Sequence, residues 1–211
     1  ALAALKAQKD TSSDPILLIL SADHIIDNSN NLKDTILYAY KYAQDGRLIT
    51  FGIKPDYPET GFGYIESFEE LSNIKKASKI RKFIEKPNKE LAEKLIKDNL
   101  YSWNSGIFLF KSSTIIKEID NYDSSIIKLC SESLKDEISD LEFQRINGDK
   151  FKKCPDISID SAVMEKTELG TVIYLDAGWS DIGNWKTIWE KSKKDNFGNS
   201  LNGRTIIKDS K

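Results

Sequence analysis

Pro15-Ile16-Leu17-Leu18-Ile19-Leu20, closed by Ser21-Ala22-Asp23-His24, is the stretch on which the fold turns. A short apolar run bounded by a polar loop suits a strand covered on both faces, the kind found in parallel sheets. Downstream, Leu32, Ile36, Leu37, Tyr40 and Ala43 fall on one face of a helix that starts near Asn31 and stops at Asp45-Gly46. Leu48-Ile49-Thr50-Phe51-Gly52-Ile53 is a second β-rich run. Strand, helix and strand predict a βαβ unit with a right-handed crossover, and hence an α/β domain. Upstream, Ala1 to Lys9 reads as the latter part of a helix with no N-cap and no secretory pattern. That opening, in a chain whose one methionine is Met164, is the expectation of a sequence that starts inside a longer domain.

Further along, Tyr64–Phe68 and Ile80–Ile84 alternate as strands, and Asn88 is placed to cap a helix from Lys89 to Asp98. Trp103-Asn104-Ser105-Gly106 leads into the strand Ile107–Phe110, and Ser112 or Ser113 caps the next helix, striped by Ile115, Ile116 and Ile119. Tyr122 to Phe151 reads as interrupted helix. Val172–Leu175 is a strand, and Asp181 precedes a helix carrying Trp185, Ile188 and Trp189, the two tryptophans reading as core. Residues 1–195 are expected to form one partial domain, with 196–211 starting a C-terminal extension.

Composition narrows the partners. The 31 basic and 33 acidic residues leave a net charge of -2, with no basic surface for nucleic acid or an anionic membrane. No run approaches the ~20 apolar residues of a membrane span. Only Arg47, Arg81, Arg145 and Arg204 are arginines, so no cluster of guanidinium forks is available for a triphosphate. Cys130 and Cys154 lack metal-ligand spacing and read as buried free thiols of a cytoplasmic protein, and His24, the one histidine, reads as structural.

Polar loops recur at strand ends, where open α/β sheets bind ligands. Asp23 and Asp181 could meet there and hold Mg²⁺, which takes one or two carboxylates plus phosphate oxygens, although a helix cap or turn explains either alone. Glu85-Lys86 could offer a hydroxyl-binding carboxylate and a phosphate-binding ammonium, or be an exposed ion pair. Gly61-Phe62-Gly63 permits close backbone approach, and Asn104 could bond a sugar hydroxyl or sit in an ordinary turn.

Taken in order, seven blocks resemble the bacterial mannose-1-phosphate guanylyltransferases, including the form fused to mannose-6-phosphate isomerase. They are Ser21–His24, Phe51–Pro55, Pro58–Ile65, Phe83–Pro87, Trp103–Phe108, Cys154–Asp160 with Val163–Lys166, and Gly178–Gly183. The resemblance implies a Rossmann-like nucleotide-diphospho-sugar transferase fold: a mixed, mostly parallel sheet with helices on both faces, incomplete at the N-terminus. It implies transfer of GMP from GTP to mannose 1-phosphate, giving GDP-mannose and pyrophosphate. By the same resemblance Asp23 and Asp181 ligate Mg²⁺, Gly63, Glu85, Lys86 and Asn104 line the mannose phosphate pocket, and Asp160 lies near the sugar. Asp23, Lys86 and Asp181 carry the catalysis, and a homo-oligomer is compatible with the full-length form. The family's Gly-rich triphosphate loop is not in this sequence, so the chain alone is expected to be inactive. Two other readings stay open: a different sugar-1-phosphate nucleotidylyltransferase, and a non-catalytic sugar-nucleotide-binding module.

Overall fold

The computed structural model of the chain describes residues 1–71, 76–135, 138–183, 185–201 and 203–206. Helix α1 (Leu2–Thr11) leads into β1 (Ile16–Ile19), β2 (His24–Ile25), α2 (Ser29–Gln44) and β3 (Leu48–Ile53). Next come β4 (Tyr64–Ser67), β5 (Ala77–Ile84), α3 (Lys89–Leu95), β6 (Tyr101–Lys111) and α4 (Ser112–Lys135). The hairpin β7 (Ile138–Asp140) and β8 (Phe143–Arg145), the short α5 (Gly148–Phe151) and a π-helical turn (Asp160–Met164) follow. Strands β9 (Gly170–Tyr174) and β10 (Ser180–Asp181) and helix α6 (Trp185–Lys191) complete the described elements.

The main sheet has the order β1-β6-β3-β9-β5-β4. Strand β6 is its organiser. It runs antiparallel to β1, with Ile19 opposite Phe108, and antiparallel to β3, with Ile49 opposite Leu109. Its first residues pair again with β4, Tyr64 opposite Trp103, so strands β3, β9, β5, β4 and β6 form a closed circuit. Because β1 and β3 both oppose β6, they point the same way, as a βαβ unit requires. The sheet is mixed, as expected, but among the described pairings only β3–β9 is parallel. The reason is that β6 inserts between the two strands of the crossover instead of leaving them adjacent.

Each face of the sheet has its own core. Leu48, Phe108, Phe110 and Val172 pack with Phe83, Ile115 of α4 and Val163 and Met164 of the π-helical turn. On the other face Ile49, Phe51, Leu109 and Ile173 meet Ala39 and Ala43 of α2. Three expectations shift here. Strand β1 is not covered on both faces: it has β6 as its neighbour in the sheet, and Leu18 is 38% exposed. In α2, Thr35, Ala39 and Ala43 face inward while Leu37 and Tyr40 are exposed, because the small side chains let the helix approach the sheet closely. Trp185 and Trp189 are exposed rather than core, Trp185 at 85%, and Trp189 donates its indole N–H to the Gly198 carbonyl.

Side chains from outside the helices close their ends. Asn28 caps α2 through the Asn31 N–H, and Asn88 caps α3 through the Leu91 N–H as expected. At α4 the cap arrives from Asp14, which accepts from Ser112 Oγ, Ser113 N and Ser113 Oγ at 2.7–3.0 Å. That helix breaks at Asp123, whose backbone (φ -156°, ψ 90°) is non-helical and whose carboxylate re-caps the second half through the Ser125 N–H. Cys130 and Cys154 are free, with sulfurs 3.9 Å apart, and burial pushes the Cys130 thiol up to about 11. Cys154 is only half-buried. No helix among the described residues is long and apolar enough to cross a membrane.

Candidate functional site

A bulge in β6 sets the site's geometry. Between Gly52 and Thr50, β3 advances two residues while β6 advances four, from Asn104 to Phe108. Such an irregularity re-aims side chains at the end of a sheet. Gly106 sits in it at φ +69°, a conformation natural to glycine. The displaced Asn104 carboxamide donates from Nδ2 to Asp160 Oδ1 at 3.1 Å, and its backbone N–H donates to the Gly63 carbonyl at 2.8 Å.

Around this contact the residues singled out in the sequence converge. A methyl group on Gly63 would lie 2.7 Å from Glu85 Oε2 and 3.0 Å from the Phe83 ring, so only glycine lets the Glu85 carboxylate close over this backbone. Lys86 Nζ lies 3.5 Å from Glu85 Oε1, and Lys86 holds the left-handed φ of 43°. Non-glycine residues reach that region at a cost of about 1–2 kcal/mol, and such strain gathers at functional positions. Gly63, Glu85, Lys86, Asn104 and Asp160 are therefore one cluster, supplied by the approach to β4, the end of β5, the early part of β6 and the start of the π-helical turn.

Burial raises Asp160 to about 6, with the nearby Glu85 charge pushing the same way, while its own backbone N–H and the Asn104 amide pull against both. A carboxyl that binds its proton more tightly when folded than its ordinary 3.8 is stabilised by acid. Its contribution is present in full below about pH 4 and is lost as pH rises through about 6. Asp160→Asn is neutral at every pH. It is expected to raise the melting temperature by a few degrees at about pH 7.5 and to leave it unchanged at about pH 3.5. Thermal unfolding followed by circular dichroism at both pH values checks this; equal melting temperatures for the two proteins at the higher pH would contradict the assignment.

The two aspartates form a second group. Strands β2 and β10 pair antiparallel, placing Asp181 opposite His24 and so beside the segment that carries Asp23. Asp23 is exposed and Asp181 half-buried. The described residues hold no group of three or more His, Cys, Asp or Glu side chains that could enclose an ion. Two carboxylates with open space around them suit a cation that completes its shell from phosphate oxygens and water. His24 is held in place: its Nδ1 accepts the Trp179 indole N–H at 3.1 Å, with the rings edge to face at 5.2 Å. That agrees with a structural histidine. A cavity of about 590 Å³ opens beside Asp181, walled by Tyr57, Phe62, Trp103 and Trp179.

The two groups abut. A β-carbon on Gly106 would lie 3.6 Å from His24 Cε1 and 3.8 Å from Ser21 Oγ, so the bulge that carries Asn104 rests against the loop that carries Asp23. No hydrogen bond or ion pair joins Lys86 to either aspartate among the described residues. Two contributors escaped the sequence reading. Trp179 orients His24, and Thr50 Oγ1 donates to Asn104 Oδ1 at 2.8 Å. The available signal for Thr50 was a lone hydroxyl inside the otherwise apolar run Leu48–Ile53.

The nucleotidyl transferase family model matches residues 1–197. The chain belongs to that family. The nucleotidyl transferase chain is 45% identical over 210 residues to a mannose-1-phosphate guanylyltransferase of Salmonella montevideo, covering 98% of this sequence and 44% of the relative. A mannose-1-phosphate guanylyltransferase of Escherichia coli is 41% identical over 200 residues, 94% of this chain and 43% of that protein. The chain thus spans less than half the length of these curated relatives. Among solved structures, mannose-6-phosphate isomerase from Helicobacter pylori superposes with a TM-score of 0.75 at 30% identity, covering 85% of this nucleotidyl transferase chain and 68% of that one.

Proposed function

We propose that this chain supplies the hexose-phosphate and metal sites of a guanylyltransferase that moves GMP from GTP to α-D-mannose 1-phosphate, releasing pyrophosphate and GDP-mannose. The observation that carries the reading is the convergence of Gly63, Glu85, Asn104 and Asp160 beside the paired strands of Asp23 and Asp181. An acid-rich pocket with one amide donor suits a polyhydroxylated sugar. Carboxylates accept its hydroxyl protons, and Asn104 donates to a hydroxyl oxygen. Lys86, at the rim, meets the anomeric phosphate as a point charge.

In the reaction a phosphate oxygen of the sugar attacks the α-phosphorus of GTP in line. One P–O bond forms there and the bond to the pyrophosphate oxygen breaks. The attacking oxygen is already anionic, so no protein base is required. The chain's task is to orient one anion toward another and offset their repulsion, by the Lys86 ammonium and the placement of the hydroxyls. Mg²⁺ held by Asp23 and Asp181 would supply charge neutralisation to the phosphates when bound.

Calorimetric titration of the chain with α-mannose 1-phosphate, against α-glucose 1-phosphate, tests the substrate. The two sugars differ at one hydroxyl, and a pocket that reads hydroxyls should prefer the mannose form by about tenfold. Equal affinities, or a preference for glucose 1-phosphate, would remove mannose from the reading.

A further inference from the structure

We propose that Thr50, buried in the middle of β3, is a positioning residue of the sugar pocket, its hydroxyl holding the Asn104 carboxamide in the orientation that serves Asp160 and the incoming hexose. The proposal rests on the mannose 1-phosphate reading above for its ligand, while its geometry is independent of it.

Thr50 is fully buried and is the one polar side chain in its strand. A β-branched valine would suit this position in a buried strand equally well and would avoid burying a hydroxyl. The hydroxyl has a specific use. Thr50 Oγ1 lies 2.8 Å from Asn104 Oδ1 and 3.2 Å from the Ile107 carbonyl oxygen, so its proton has two acceptors in reach and the shorter contact is to Asn104. The Gly106 backbone N–H also points at Asn104 Oδ1, at 3.4 Å. A carboxamide oxygen has two lone pairs, so these two donors account for it in full. Nδ2 carries two protons, and one goes to Asp160 Oδ1.

The remaining amide proton is therefore the only polar function that Asn104 offers a ligand. Beside it, Asp160 keeps its second carboxylate oxygen as an acceptor. Together they present one donor and one acceptor side by side, which matches a single hydroxyl that accepts from one and donates to the other. With the amide reversed, Oδ1 would face the Asp160 carboxylate and Nδ2 would face the Gly106 N–H, like against like at both ends. Asp160 and the Gly106 N–H therefore choose the orientation, but the terminal torsion of asparagine is soft, so a further anchor is needed to hold the amide plane steady. Without the Thr50 hydroxyl, the amide plane is held only by the Nδ2 bond to Asp160 and the long contact from Gly106.

The same chain of bonds reaches the charge on Asp160. Glu85, which pairs with Lys86, and Glu165 both oppose its ionisation, whereas the Asn104 amide favours it. Loosening Asn104 removes that favourable donor and moves the Asp160 midpoint above about 6.

The test compares Thr50→Val, which keeps the shape and loses the hydroxyl, with Thr50→Ser, which keeps the hydroxyl. Calorimetry with α-mannose 1-phosphate is expected to show about tenfold weaker binding in Thr50→Val and, in Thr50→Ser, binding within about twofold of the wild type. A ¹³C-carboxyl NMR titration of the ligand-free protein should show the Asp160 midpoint raised in the valine variant and unmoved in the serine variant. A purely packing role for Thr50 would not produce that split. Should Thr50→Val fail to fold, Thr50→Ala removes the same hydroxyl and carries the same comparison. Unchanged affinity and an unmoved Asp160 midpoint in Thr50→Val overturn the positioning role. If the wild type does not bind mannose 1-phosphate, the substrate reading falls, and the NMR titration alone then decides whether Thr50 governs Asn104.

Discussion

On the proposed reading, Asp181→Asn in a full-length protein carrying this sequence is expected to lower GDP-mannose formation by about 10²–10³-fold, the size of losing one preorganised charge at the reacting phosphates. The substitution is nearly isosteric, and the backbone pairing of β10 with β2 does not involve the carboxylate, so the fold should be retained. The same variant can be read without turnover. Mn²⁺ added to the wild-type chain should broaden the amide resonances around Asp23 and Asp181. Asp181→Asn should require about a hundredfold more metal for equal broadening. Full turnover in the variant, or broadening unaltered from the wild type, would end the metal role. Asp181→Asn should leave the Asp160 titration unchanged, since burial, Glu85, its own backbone N–H, Asn104 and Glu165 are what shift it.

Trp103→Ala is expected to cost about 3–5 kcal/mol of stability, a large share of the roughly 5–15 kcal/mol that holds a typical domain together. Trp103 is buried where β6 crosses between β3 and β4, opposite Ile53 on one side and Tyr64 on the other. Its ring is packed edge to face by Tyr57 at 4.9 Å and Phe62 at 5.3 Å. Alanine there leaves a void under the loop that precedes Gly63, so affinity for the sugar phosphate should fall along with stability. Urea unfolding monitored by circular dichroism measures the first effect. A loss below about 1 kcal/mol would mean that the aromatic cluster is not a structural keystone. Trp103→Phe, which keeps most of the buried ring area, is the paired variant and should cost considerably less.

How far the sequence could be read depended on whether a feature was local. The apolar run Leu48–Ile53, the cap at Asn88 and the strand of Val172 announce themselves within a few residues, and the structure places them accordingly. What a segment touches is a different matter. Nothing within Ile16–Ile19 says that β6 would lie between it and β3. Trp185 and Trp189 have the spacing of a core stripe, yet they lie outside it, because amphipathic spacing identifies a face without saying what covers it. The candidate site behaved likewise. Gly63, Glu85, Asn104 and Asp160 were legible as residues, through the ordered blocks that resemble a family. Their mutual contact was not, because it depends on a bulge in β6 that no local pattern marks. Thr50 was hidden for the converse reason: a β-branched residue in a strand needs no explanation until its hydroxyl partner is seen.

The pairing of His24 with Trp179 spans 155 residues of chain. During synthesis at about 5–20 residues per second, His24 and the neighbouring Asp23 leave the ribosome some 8–30 s before the partners that complete their surroundings. For that interval the nascent chain carries one carboxylate of the pair and the exposed edge of β1, but no assembled site. Chain order alone therefore keeps the paired strands apart until β10, the last strand among the described residues, is made and acts as the closing stitch.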